Sequence, residues 1–299
     1  MPATAPRPIE RLPLAALLCG AVAIAFAPIF FRWSETAPVA TAFWRLALAS
    51  PFLWLLARRE TVARTTPATR GEVALVAGAG VFFAGDLIFW HWSLAWSSVA
   101  NATLLANAAP VFVVIGGWLL YRRTATKLFL AGMATAMAGA AVLMDASLTL
   151  SETRLLGDVF GIVTAAFYGA YMLCIDRLGG RITTLGVMAW STPVAALVCL
   201  PVALLSDGAF APETLRGWAV LVGLALVAQA IGQTLVAHGL GRLPVHFGSV
   251  ALLLQPATAA LLAWVLLAEP MGAQQAAGAA VILAGILMAR RGARAAEPR

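Results

Sequence analysis

From Leu104 to Leu120 the chain runs for the length of a membrane-crossing helix without one charged residue, within one of ten mainly apolar stretches along it. About 20 apolar residues, at 1.5 Å of rise each, span the hydrocarbon core of a bilayer, so this feature decides the solvent. The candidate spans lie near residues 12–31, 37–57, 72–96, 98–121, 127–145, 157–175, 183–205, 216–238, 243–267 and 272–290. Inside lipid, backbone polar groups must be paired within a helix or around a closed barrel. The runs lack the alternation of polar and apolar residues that a lumen-lining strand needs. The reading is an all-α polytopic membrane protein with ten transmembrane helices.

Composition agrees: 62% of the 299 residues are hydrophobic and 11% charged, against roughly 45–50% and about 25% in soluble domains. A water-soluble globular domain is excluded. The net charge of +7 would point to nucleic acid only if the basic residues formed a patch or stripe. They stand instead in short runs between apolar stretches, such as Arg58-Arg59 and Arg290-Arg291, so no nucleic-acid partner is expected. Counted by side of an alternating chain, 16 basic residues fall on the side of both termini and three (Arg32, Arg154, Arg216) on the other, with Arg45 inside a span. Lys and Arg accumulate on the cytoplasmic side, which places both termini in the cytoplasm. The run from Leu12 to Phe31 exceeds the roughly 7–15 residues of a signal-peptide core and is read as a retained first helix. Cys19, Cys174 and Cys199 lie in apolar runs without metal-ligand spacing, so they are read as small buried hydrophobes, with no metal and no cofactor expected.

Sliding the chain against itself by 146 residues aligns Leu94 with Leu240, Pro110 with Pro256, Trp118 with Trp264, Gly132 with Gly278 and Gly139 with Gly285. A unit of five helices is odd, so a second copy enters the membrane from the opposite side. The expectation is two inverted five-helix repeats, residues 1–150 and 151–299, with a solute site between them and alternating access by rocking.

Ionisable and polar residues within the spans are the site candidates, because burying them in lipid is costly. Asp86 lies deep in the third span, and helical spacing predicts a shared face with Phe82, Phe89 and Trp90. Arg45 in the second span falls at a matching depth and reads either as its ion-pair partner or as a ligand for a substrate carboxylate. Asp86 itself reads as that partner, as a ligand for a substrate ammonium, or as a proton carrier. Gln229 and Gln233, four residues apart, suit hydrogen bonding to an amino or carboxylate group. Tyr168 and Trp190, with Trp44 and Tyr171, lie deep enough to line an aromatic cavity. Asn101, Asn107 and Gln255 have weaker claims. His91, His238 and His246 read as packed or interfacial, and Asp158 as a helix cap. The glycines of the fifth and tenth spans read as scaffold or dimer surfaces.

Several segments resemble the drug/metabolite transporter superfamily, specifically its EamA-type ten-helix exporters. Gly157-Asp158 with Gly161 and Ala165-Ala166-Phe167-Tyr168 resembles the opening of that family's second half, and Phe43-Trp44-Arg45-Leu46 its Arg-bearing second helix. The stretch from Ser98 to Pro110, its counterpart at Pro256 and Leu266-Leu267-Ala268-Glu269-Pro270 resemble the ends of the two halves. Tyr121-Arg122-Arg123 departs from the Gly-Glu pair common there. The resemblance implies a cytoplasmic-membrane exporter of small metabolites, often amino acids, with an aromatic amino acid branch.

No Gly-x-x-x-x-Gly-Lys-Ser/Thr loop is present, so transport would draw on a proton gradient, counter-substrate exchange or the solute's own gradient. The alternatives are a passive facilitator for the same solutes and a multidrug exporter of lipophilic cations. An intramembrane enzyme is not expected: no second intramembrane aspartate pairs with Asp86, and no His-Glu-x-x-His motif exists. The remaining partners are the lipid bilayer and, for assembly, either none or a second copy.

Overall fold

A computed structural model describes residues 10–60, 64–97, 99–144, 152–267 and 272–295. Ten helical spans follow in order: α1 (two segments, Arg11–Ile24 and Ala27–Trp33), α2 (Pro38–Arg59), α3 (Arg70–Trp96), α4 (Val99–Ala106 and Ala109–Tyr121), α5 (Lys127–Leu143), α6 (Glu152–Leu178), α7 (Thr184–Leu205), α8 (Leu215–Leu240), α9 (Val245–Ala251 and Leu254–Leu267) and α10 (Ala273–Ala295). Among the described residues nine are long and apolar enough to cross a bilayer, and α5 is shorter at 17 residues. Among the described residues the only β pairing is an isolated bridge between Gly179 and Ile182.

Local chemistry fixes where these helices start and break. Thr69, Thr126, Thr183 and Thr214 cap α3, α5, α7 and α8, each accepting from the third helical amide, which satisfies a donor that has no partner inside its helix. Glu72 completes a capping box with Thr69. α4 and α9 are both interrupted, at Asn107-Ala108 and Leu252-Leu253. Pro110 and Pro256, matched by the internal repeat, stand just beyond the breaks; each lacks the N–H that would bond four residues back.

The main helix pairings keep their pattern when the first five helices are exchanged with the last five. α3 packs on α6 as α8 packs on α1, α4 on α6 as α9 on α1, and α3 on α7 as α8 on α2. α2 pairs with α7 and α5 with α10, each with its own counterpart. Most helix packing therefore joins one half of the sequence to the other.

α5 and α10 meet backbone to backbone. A Cβ on Gly139 would collide with backbone of Gly278, Val281 and Ile282, and one on Gly285 with that of Ala136. The small-residue face is thus occupied within the chain, where it permits the close approach of two helices. Two smaller expectations are corrected. Asp158 lies within α6, beyond its first turn, and accepts from the Ser97 hydroxyl at 2.5 Å, tying α6 to the α3–α4 connection. Cys19 is exposed on the outer face of α1, whereas Cys174 and Cys199 are buried.

Candidate functional site

Four helices bring a polar cluster together inside an otherwise apolar core. α2 supplies Arg45, α3 Asp86, α6 Tyr168 and Tyr171, and α8 Gln229 and Gln233. Arg45 is 8% exposed, Gln229 0% and Gln233 1%. The Arg45 Nε–H donates to Gln229 Oε1 at 3.0 Å, and Gln233 Nε2 donates to the Tyr171 hydroxyl at 3.0 Å. That hydroxyl in turn points at Met188 Sδ, 3.9 Å away. Tyr168 and Tyr171 stack with centroids 5.8 Å apart and planes 8° from parallel. Phe83 lies 5.0 Å from the Tyr171 ring, and the Arg45 guanidinium sits 5.8 Å from the Phe83 centroid.

Both glutamines belong to a nine-residue π-helical stretch, Ala225–Gln233, in the middle of α8. Wider turns of this kind are rare and frequent at functional sites. Here one such stretch delivers two buried amides to α2 and α6.

Asp86 is half-buried and close enough to Arg45 and both tyrosines to interact electrostatically. No ion pair within 4.0 Å joins it to Arg45, and it has no hydrogen-bond donor among the described residues. Arg45 and Asp86 therefore share one cluster without direct contact. Cys199 on α7 is near enough to Asp86 for an electrostatic influence.

The single aromatic face expected around Asp86 is split in two. Phe82 and Phe89 flank Gly85 on the side of α3 that meets α6; Phe167 presses onto Gly85 and lies 6.0 Å from Phe82 and 5.3 Å from Phe89. Absence of a Cβ at Gly85 decides which face packs there. Phe83, one residue on, is the aromatic neighbour of Arg45. Trp90 packs against α1, 6.3 Å from Phe31, beside the buried His91. Trp190 is 43% exposed and joins Leu197 and Leu204, at steps of seven residues, in an exposed stripe on the outside of α7, away from the buried Met188, Ser191, Thr192 and Cys199. It lies away from the cluster because α7 turns its small and polar residues inward.

Phe83, Met188 and Cys199 were not singled out by the sequence. The three-residue step from Phe83 to Asp86 was a usable signal for the first of them. Asn107 Nδ2 donates to the Thr103 carbonyl at the α4 break, and the Gln255 amide nitrogen is buried without a partner among the described residues next to the α9 break. Both belong to the helix interruptions. The side chain of Asn101 and residues 268–271 lie outside the described set.

Contacts close the bundle at both ends. Beside Arg45, Trp44 Nε1 donates to the Phe210 carbonyl at 2.7 Å and packs on Trp218 at 4.9 Å. Glu35, outside the spans, accepts from the Thr214 hydroxyl and amide; the hydroxyl bond is the main influence holding its carboxyl below the usual range. At the other end Arg123 pairs with Asp176 at 2.6 Å and Arg64 with Glu72 at 2.7 Å. Arg64 also donates to the Arg181 carbonyl.

Comparison with known proteins gives a consistent picture. The model of the EamA-like transporter family matches twice, over residues 11–144 and 155–291. A protein of Streptantibioticus cattleyicolor described as a "Probable terminal-alkyne amino-acid exporter" is 27% identical over 248 residues, 83% of this chain and 82% of its own. The pseudopaline exporter CntI of Pseudomonas aeruginosa is 26% identical over 201 residues, 67% of this chain and 68% of its own. A solved crystal structure, 20% identical, superposes with a TM-score of 0.77 over 95% of this chain and 99% of that one, and so shares the fold.

Proposed function

The chain belongs to the EamA-like transporter family, and from that premise we propose that it is a secondary-active exporter of small amphiphilic metabolites, foremost amino acids including aromatic ones. It is a multi-pass membrane protein; in this reading it sits in a bacterial-type cytoplasmic membrane with both termini inside, acts without a cofactor and is not an enzyme. The observation that carries the proposal is the buried cluster itself. Arg45 and Asp86 lie in one cluster that draws on both halves of the sequence, near one another but without direct contact. Maintaining two such charges in an apolar bundle is costly, and a solute bearing complementary groups would offset that cost. The names of the two exporters matched above are in keeping with cargo that includes amino acids.

In this proposal the two inverted halves rock about the solute, exposing the chamber to one side at a time. The test is counterflow and net flux of labelled aromatic and aliphatic amino acids in proteoliposomes, with and without a pH gradient, for the parent and Asp86→Asn. Saturable flux that follows the gradient, and loses that response in the variant, is the expected result and makes Asp86 the proton carrier. Saturable flux independent of the gradient would assign the driving force to exchange, and failure to accumulate solute against any gradient would mark a facilitator. Absence of saturable amino acid flux would overturn the amino acid assignment.

A further inference from the structure

The donors and acceptors left over in the cluster identify the charge pattern of the solute; the inference rests on the exporter reading and deepens it. A guanidinium carries five N–H donors and no acceptor. The Gln229 atom facing Arg45 Nε is therefore the amide oxygen, and the amide nitrogen must point elsewhere. That nitrogen, Nε2, is buried in a residue with 0% exposure and has no acceptor among the described residues. Arg45 makes only its Nε bond to them, so its two Nη groups are also unspent. Unspent donors thus stand together on α2 and α8.

Asp86 presents the opposite deficit. A carboxylate is acceptor-only, and among the described residues no donor bonds it and no cation lies within 4.0 Å. With Asp86 ionised, one anionic group and one cationic group are missing from the same cluster. A simple anion would leave Asp86 unmatched, and a simple cation would leave Arg45 and Gln229 unmatched. Phe83, Tyr168 and Tyr171 add ring surface but no further charge.

We propose that this site is a clamp for a zwitterion, in which Arg45 and Gln229 take the carboxylate of an amino acid and Asp86 takes its ammonium. Arginine suits the first task because its planar fork matches a carboxylate. Gln229 has two roles: its oxygen orients the guanidinium, and its amide nitrogen adds a donor beside it.

The experiment is competition against counterflow in proteoliposomes of the full chain, with labelled phenylalanine, leucine and serine as reporters. For phenylalanine, the competitors are phenylalanine, phenylalaninamide, which lacks the carboxylate, and 3-phenylpropionate, which lacks the ammonium. The clamp predicts that each one-charge analogue competes at least about tenfold more weakly than phenylalanine, since each leaves buried polar groups unpaired. Asp86→Asn should weaken phenylalanine about tenfold and leave 3-phenylpropionate unchanged or improved. Gln229→Leu should weaken phenylalanine and 3-phenylpropionate together and spare phenylalaninamide. Such crossed selectivity cannot come from misfolding, which would depress all three. Equal competition by the one-charge analogues in the parent would overturn the clamp while leaving the exporter reading intact. Absence of saturable flux for all three reporters would overturn both.

Discussion

The Nε–H of Arg45 donates to the side-chain carbonyl of Gln229 over 3.0 Å, joining α2 to α8 across 184 positions of sequence. The buried cation is therefore oriented by a neutral partner. An amide orients the guanidinium without cancelling its charge, which in the proposed clamp stays available to the solute. Gln229→Glu would supply that cancellation internally. Because a buried ion pair roughly balances attraction against desolvation, the variant is expected to melt in detergent close to the parent. Its saturable amino acid flux should fall by about tenfold or more, the cost of withdrawing a buried charged partner. Unchanged flux would show that the solute does not use the Arg45 charge.

Gln233 and Tyr171 form a second buried pair, linking α8 to α6 at 3.0 Å. Polar contacts between membrane helices contribute on average ~0.6 kcal/mol and up to ~1.7 kcal/mol. A double-mutant cycle of Gln233→Leu and Tyr171→Phe, followed by reversible unfolding, should return a coupling in that range. Strict additivity would mean the two groups do not support one another.

The Arg123–Asp176 pair lies at the opposite end of the bundle from Glu35, with the Asp176 side chain 2% exposed and that of Arg123 26% exposed. Removing Arg123 leaves a carboxylate in the dry interior, a change that costs about 3–5 kcal/mol when nothing else compensates. Arg123→Gln should fall near or below the lower end, because Arg123 is partly wetted and Asp176 has a further interaction. The charge swap Arg123→Asp with Asp176→Arg should recover part of the loss in a detergent melt. No recovery would place the cost in packing rather than charge.

Two glycines make opposite forecasts. Gly139→Val drives a side chain into the α10 backbone and is expected to abolish monodisperse folded protein on size exclusion. At Gly71 a Cβ meets nothing within 4 Å, so Gly71→Ala should be neutral or stabilise by up to about 1 kcal/mol.

Glu35 provides a pH handle outside the spans. Its carboxyl titrates below the ordinary 4.5 because the Thr214 hydroxyl and amide bond the ionised form. A depressed folded value means that its contribution is complete above 4.5 and is lost as pH falls through the lower, folded value. Melting of the parent should thus carry an acid-side component that Glu35→Gln lacks, while the two profiles run parallel near neutrality.

Helix number and approximate span bounds were legible because apolar length is a strong signal, whereas the breaks in α4 and α9 were not: Pro110 and Pro256 stood out only as repeat matches, and Pro51, Pro193 and Pro201 lie inside unbroken helices. Arg45, Asp86, Gln229 and Gln233 were legible as chemistry, since charged and amide groups inside apolar runs announce themselves. Their geometry was not. The π stretch in α8 has no local sequence mark; tertiary bonds from Gln229 and Gln233 accompany it. Phe82 and Phe83 cannot be ranked from periodicity alone, because the choice of face depends on Phe167 meeting Gly85 from another helix. Trp190 shows the same limit: a tryptophan suits a cavity wall and a lipid-facing surface equally well until its neighbours on α7 are known.

The exchange of packing partners between the two halves has an evolutionary consequence. Most partners of the first five helices lie among the last five, so a lone five-helix chain of this design would have little to close upon except another molecule of itself. The smallest ancestor able to enclose a solute would then be a dimer. Fusing two such genes replaces an association that depends on concentration with one held at high effective concentration by the linker. It also frees the copies to diverge, and divergence is what permits an arginine in one half to bond a glutamine in the other.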